Sequence, residues 1–255
     1  MGQLDGRVAV VTGGAQGIGR HYALGLAAQS ARVAIGDIVD TAATAAEVSA
    51  KNGADSCAGF PLDVSDEASI KNFVARVKQR FGHIDILVNN AALCAALHPI
   101  PTTEMETALW DRVMAVNARG PFLMAKHVIP HMKAQGYGKI INISTGMAMR
   151  GVPGMLHYVA SKGAVLSITN CLSREVGPWG IRVNTIAPGL TISDTVAAAQ
   201  PEFLEAVRVP MAKSRAIQRD QLPEDLVGTV VFLSSAASDF ITGQTIVVDG
   251  GSLNH

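Results

Sequence analysis

Neither sign of charge is in excess in this sequence of 255 residues, where Lys and Arg number 21 and Asp and Glu number 21. Nucleic acids and anionic membrane surfaces both require a basic surplus, so a general role on either is excluded. A net charge of zero also weakens the self-repulsion that keeps chains apart. Cysteine is scarce: Cys57, Cys94 and Cys171 are odd in number and widely spaced, with no C-x-x-C pair and no Cys/His cluster. That excludes a zinc or dithiol pattern and predicts reduced thiols in or near the core. The seven histidines form no ligand set, so no metal is expected. No apolar run reaches the roughly 18 residues that a membrane span needs. The opening segment, MGQLDGRVAVV, has an acid and a glycine where a secretory leader carries a basic and then an apolar stretch. These absences together predict a soluble, cytoplasmic protein with no nucleic-acid or membrane partner.

What the chain does contain is apolar. Hydrophobic residues make up 48% and charged ones 16%, enough for a large core and against disorder. Short apolar runs alternate with longer helical stretches. Strands are predicted at Arg7–Thr12, Arg32–Asp37, Ser56–Leu62, Ile84–Asn89, Gly138–Ser144, Ile181–Ala187 and Thr245–Asp249. Several, such as VAVVT and KIINIS, are nearly continuous apolar runs, as in parallel strands buried on both faces. Between them, DEASIKNFVARVKQRFG repeats Ile70, Phe73, Val74 and Val77 at helical spacing and ends at Gly82. Alternation of this length predicts an α/β doubly wound parallel sheet with right-handed crossovers, and no linker or repeat divides the chain. Ligands of such a sheet bind beyond the carboxyl ends of its strands, so function is expected there.

The first predicted strand ends in TGGAQGIG, with Gly13, Gly17 and Gly19 opening a helix. Glycine lets the backbone approach a pyrophosphate, and the helix start offers unpaired N–H groups and a positive dipole end. The second strand ends at Asp37, about 20 residues further on. A carboxylate there accepts hydrogen bonds from ribose hydroxyls and repels a 2′-phosphate. Ile38 and Val39 follow it, so no adjacent cation offsets that repulsion. NAD is therefore the expected cofactor.

At this point the chain resembles the short-chain dehydrogenase/reductase family, over essentially its whole length. The markers are TGGAQGIG, Asp37, Asp63–Val64, NNAA from Asn89 to Ala92, Asn117, Ser144, YVASK from Tyr158 to Lys162, PGLTIS from Pro188 to Ser193, and ITGQTIVVDGG. Ala92 stands where the family commonly has glycine, Ser193 where threonine is frequent, and Thr191 where a branched aliphatic residue is usual. The resemblance implies one Rossmann-like domain with a seven-stranded, mostly parallel sheet. It places the cofactor on Gly13, Gln16, Gly17, Ile18, Gly19, Asp37, Ile38, Asp63, Val64, Asn90, Ala91, Tyr158, Lys162, Pro188, Gly189, Thr191 and Ser193. It also implies a homotetramer.

Tyr158 and Lys162, four residues apart, share one face of a helix. A tyrosine is ordinarily too weak an acid for proton transfer at neutral pH, and a nearby ammonium favours its phenolate. The resemblance makes Tyr158 the acid/base, has Lys162 also hold the nicotinamide ribose, gives the substrate oxygen a hydrogen bond from Ser144, and has Asn117 hold a water that links Lys162 to solvent. His157 points about 100° away from Tyr158 and is expected at a pocket edge or an interface.

The substrate is expected to be walled by the segments after the fourth, fifth and sixth strands, with Cys94, Ser144, Met147, Met155, Tyr158 and Leu190 touching it. The stretch from 190 to 215 is long for a connection and is expected to form a lid. Apolar members such as Val196, Phe203 and Met211, with no buried acid, favour a hydrophobic secondary alcohol or ketone, cyclic and aryl-substituted ones included. Arg150, Arg208, Lys213 and Arg215 cut the other way, because any of them would suit an anionic substrate. A 3-oxoacyl-thioester reductase is a further reading, against which Asp37 speaks. A non-enzymatic NAD-binding regulator is a third, and the presence of Ser144, Tyr158 and Lys162 opposes it.

Overall fold

The computed structural model describes residues 2–253. Its strands are β1 (Val8–Thr12), β2 (Arg32–Asp37), β3 (Cys57–Pro61), β4 (Ile86–Asn89), β5 (Gly138–Ile143), β6 (Ile181–Pro188) and β7 (Thr245–Val248). Its helices are α1 (Gly17–Ala28), α2 (Ala42–Asn52), α3 (Glu67–Phe81), α4 (Thr107–Met114), α5 (Gly120–Gln135), α6 (Met147–Arg150), α7 (Leu156–Val176), α8 (Asp194–Ala199), α9 (Pro201–Lys213) and α10 (Glu224–Ser234). Each predicted strand is present: β2 has the predicted bounds, and the others differ by one or two residues at one or both ends. All seven lie in one sheet in the order β3-β2-β1-β4-β5-β6-β7, and every neighbouring pair is parallel.

The apolar runs are buried as their composition requires. β1, β4 and β5 are buried along their whole length. Helices cover both faces and make two cores. One holds Phe73, Leu87, Met124 and Ile140; the other holds Tyr22, Leu26, Ile35 and Val230. Helix α3 shows the local logic. The Asp66 carboxylate accepts from the N–H groups of Ala68 and Ser69, Ile70, Phe73, Val74 and Val77 are buried, and Gly82 ends the helix at φ 86°. Truncating Phe73, which is fully buried, would cost about 3–5 kcal/mol.

The chain winds outward from β1 to β3, then crosses back to place β4 on the other side of β1. The carboxyl ends of β1 and β4 therefore border the crevice where a doubly wound sheet binds its ligand. Two local irregularities face that crevice. Helices α4 and α5 are joined by a π-helical turn, Ala115–Arg119, that carries Asn117; such turns recur at functional sites. The 190–215 stretch folds into the two helices α8 and α9, packed over the strand ends.

Candidate active site

The carboxyl ends of the strands open into one cavity of about 710 Å³. Every residue assigned to the cofactor from the sequence lines it, as do Cys94, Ser144, Met147, Met155, Tyr158 and Leu190. Asn117 does not; it is fully buried behind the wall.

At one end lies the glycine loop. Gly17 adopts φ 56°, in the left-handed region, as α1 begins. At Gly19 a Cβ would lie 2.0 Å from the Gly13 carbonyl oxygen, so only glycine fits. Thr12, which no sequence motif singles out for this role, ties the loop to β4: its Oγ1 accepts from the N–H groups of Asn90 and Ala91, both at 3.0 Å. The Asn90 amide in turn donates to the carbonyls of Thr12 and Gly13. Asp37 closes this end. Its carboxylate accepts from Ala15 N at 3.0 Å and Val39 N at 3.2 Å, which fixes it at the rim. Ile38 beside it is 76% exposed and Val39 is exposed as well, and among the described residues Asp37 has no ion-pair partner. Asp63 is held by the backbone and hydroxyl of Ser65, and Val64 is buried beside it. The narrow cradle at Gly19 and the backbone-held acid at Asp37 fit the pyrophosphate and ribose of a dinucleotide.

At the other end lies Tyr158, buried on α7. Burial, then the neighbouring Cys94, pushes its phenol well above the ordinary tyrosine range, while Thr145 acts the other way. The sequence predicts that Lys162 lowers this phenol. In the structure Lys162 Nζ instead donates to the Ile143 carbonyl at 2.7 Å, and burial dominates. Burial also brings the Lys162 ammonium down to about 8.

The two hydroxyls at the end of β5 separate. Ser144 Oγ donates to the Lys162 carbonyl at 2.8 Å, securing α7 to the strand. Thr145 Oγ1 donates to the Pro188 carbonyl at 3.4 Å and accepts from Met147 N at 3.3 Å, and it lies close enough to Tyr158 to act on its phenol. Both residues lie just past β5, which ends at Ile143, so no strand pattern in the sequence separates them. Asn117 clasps the loop after β4: its Oδ1 accepts from Leu93 N at 2.7 Å, and its Nδ2 donates to Leu93 O and Ser161 Oγ. Ser161 donates onward to the Tyr158 carbonyl at 2.7 Å. Below, a buried polar chain runs from Asn89 through Asn142 to Thr169 and Thr185, with each link 2.7–2.8 Å. It joins β4, β5, α7 and β6.

The walls refine several expectations. The expected Val196, Phe203 and Met211 line the cavity, joined by Leu93, Leu97 and Val152. Thr191 donates to the Gly189 carbonyl, and Ser193 caps α8. His157 is not at a pocket edge: it is fully buried, with both ring nitrogens unpartnered, and burial lowers its pKa. The expectation of walls without a buried acid is corrected by Asp249, which is buried and lines the cavity.

Residues 13–252 match the family model described as "Enoyl-(Acyl carrier protein) reductase". The chain is 39% identical over 254 residues to a short-chain dehydrogenase/reductase of Hericium erinaceus, covering 97% of this chain and 98% of that protein. The chain belongs to the short-chain dehydrogenase/reductase family. Within the family it is 38% identical over 260 residues to a sorbitol dehydrogenase of Cereibacter sphaeroides, covering 98% of each. Among solved structures, levodione reductase superposes with a TM-score of 0.91 at 30% identity, covering 97% of each chain. Membership makes the protein an oxidoreductase of the short-chain dehydrogenase/reductase family. Among the described residues no helix is long and apolar enough to cross a membrane.

Proposed function

We propose that the protein is an NAD-dependent dehydrogenase/reductase acting on a neutral, largely apolar secondary alcohol or its ketone. The observation that carries this reading is the continuity of one cavity. It runs from a backbone-held carboxylate at Asp37, beside the glycine loop, to paired hydroxyls at Tyr158 and Thr145. Bound along it, a nicotinamide dinucleotide would supply or accept the hydride. The protein's part is positioning and proton transfer.

In that arrangement the substrate oxygen sits against Tyr158 Oη and Thr145 Oγ1. Thr145 donates a hydrogen bond that orients it, the role expected of Ser144 from the sequence. Tyr158 takes the alcohol proton during oxidation and returns it during reduction. Its raised pKa keeps the phenol protonated at neutral pH until positive charge arrives nearby. Lys162 is the group of α7 placed to supply that charge: it is buried, its pKa is brought down to about 8 by burial, and it lines the cavity. Asn117 acts through others, holding the loop after β4 against α7 so that Leu93 and Cys94 stay opposite Tyr158.

The cations named as rivals sort themselves. Arg208 is paired with Asp220. The buried Arg215 donates to the carbonyls of Leu190 and Arg219. Lys213 lies outside the cavity lining, which leaves Arg150 and Arg112 at its exposed rim. Asp249 adds a negative charge to the inside. Apolar walls with that balance favour a neutral substrate over an anionic one.

The test is kcat/KM for a neutral aryl or cyclic ketone against a charged analogue of similar size, with NADH and NADPH. A preference for the neutral ketone with NADH is expected. A preference for the charged analogue that disappears in Arg150→Ala would overturn the substrate reading.

A further inference from the structure

The first turn of α1 is a place built for an external anion. Gln16, at its N-terminus, makes no side-chain cap, and no acidic residue lies in the first turn. The N–H groups of that turn have no partner within the helix and carry its positive end. An anion is nevertheless seated there, and it comes from the lid. Asp194 Oδ1 accepts from Gly17 N at 3.0 Å, across 177 positions of sequence. The same oxygen accepts from Thr195 N at 2.7 Å.

The start of α8 is fastened in this position. Ser193 Oγ caps the helix by accepting from Val196 N, and it shares a hydrogen bond with Thr195 Oγ1 at 2.9 Å. Thr195 Oγ1 lies only 2.9 Å from where a Cβ at Gly17 would stand. The lid therefore rests directly on the loop that receives the pyrophosphate. Among the described residues Asp194 has no ion-pair partner to neutralise it.

We infer that Asp194 is a cofactor-release residue: its carboxylate takes the loop N–H that a pyrophosphate needs and repels that pyrophosphate, so it weakens the hold on the dinucleotide and speeds its departure. The inference rests on the nicotinamide-dinucleotide reading above. A pyrophosphate at the start of α1 brings two negative charges to within a few ångströms of the carboxylate. If the lid stays, the charges repel. If the lid swings away, its contact with Gly17 is lost. Both alternatives oppose binding; neutralising the carboxylate removes the repulsion, and truncating it removes the contact as well.

The experiment measures the Kd and release rate of NADH by fluorescence for the wild type, Asp194→Asn and Asp194→Ala, with adenosine as a phosphate-free ligand. The amide variant keeps the acceptor to Gly17 and removes only the charge. Tightening of NADH by roughly three- to tenfold is expected in Asp194→Asn, with slower release and a gap that narrows as salt is raised. Asp194→Ala is expected to tighten at least as much, and adenosine to bind all forms alike. Unchanged or weaker NADH binding in Asp194→Asn would overturn the inference. So would weaker binding in Asp194→Ala, which would make the residue a lid strut, or equal tightening toward adenosine. If the wild type binds NADPH instead of NADH, the cofactor reading alone fails and the same comparison decides Asp194 with NADPH. If it binds neither, both readings fall.

Discussion

Ser144 and Thr145 are neighbours whose hydroxyls point to different partners. Ser144 holds the Lys162 carbonyl at 2.8 Å, while Thr145 donates to the Pro188 carbonyl at 3.4 Å beside Tyr158. Ser144 braces the helix, and Thr145 is the hydroxyl proposed to meet the substrate. Thr145→Val, which keeps the shape and removes the hydroxyl, is expected to lower kcat by about 10²–10³, as loss of a donor to a developing charge does elsewhere. Thr145→Ser is expected to retain most turnover. Ser144→Ala is expected to lose less than Thr145→Val and to lower Tm. Steady-state kinetics and a thermal melt on the three variants check the ranking, and the reverse order would return the orienting role to Ser144.

Tyr158→Phe keeps the ring and removes the proton. A loss of roughly 10²–10⁴ in kcat is expected, with NADH affinity largely kept. Near-normal turnover would mean that the proton moves by another group.

Lys162 is charged at neutral pH in a place that disfavours charge, since burial lowers its pKa from 10.5 to about 8. Between about 8 and 10.5 the unfolded chain holds the proton and the folded chain does not. Stability from this group is thus lowest below pH 8 and recovers as pH rises through that window. Lys162→Met is expected to lack that rise while abolishing turnover. Cofactor-free thermal melts from about pH 7 to 10 test this, and a variant with the same pH profile as the wild type would refute it.

Asp37 is held by two backbone N–H groups, and Ile38 and Val39 follow it in sequence. NAD is expected to exceed NADP in kcat/KM, and Asp37→Ala to narrow the gap by relieving repulsion of the 2′-phosphate. A wild-type preference for NADP would reject the assignment.

Helices α5 and α7 keep apolar side chains at the surface of the single chain. Phe122 is 47% exposed and Leu156 42% exposed, and Ile168 and Leu172 are half-buried. Those faces would be covered by symmetry mates, so light scattering is expected to give a tetramer mass. A monomer mass would leave them as bare surface.

The sheet was legible in the sequence because strands buried on both faces write themselves as unbroken apolar runs. VAVVT and KIINIS needed no partner information to be read. The cofactor end was legible for a related reason: glycines and one acid at fixed distances along the chain encode backbone geometry directly. The catalytic end was less so. Both Ser144 and Thr145 line the cavity, and which hydroxyl is tied to α7 depends on the path of the chain just past β5, which composition does not reveal. The depth of Tyr158, the engagement of Lys162 with Ile143 and the burial of His157 all arise from packing between distant segments. The contact between Asp194 and Gly17 joins positions far apart along the chain, and no local pattern announces it.

The buried chain of Asn89, Asn142, Thr169 and Thr185 divides the molecule into parts with different tolerance for change. It pins β4, β5, α7 and β6 together beneath the site, so the spacing of Tyr158, Lys162 and Thr145 is set without help from the walls above. Cys94, Met155, Val196 and Phe203 stand on the loop after β4, the start of α7 and the lid, outside that chain. Replacing the last three alters which molecules enter while the proton-transfer geometry stays put; Cys94 also acts on the phenol of Tyr158. A library randomised at Met155, Val196 and Phe203 should therefore yield shifted substrate preferences at a far higher rate than inactive enzymes, whereas single changes at Asn142 or Thr169 should silence every substrate alike.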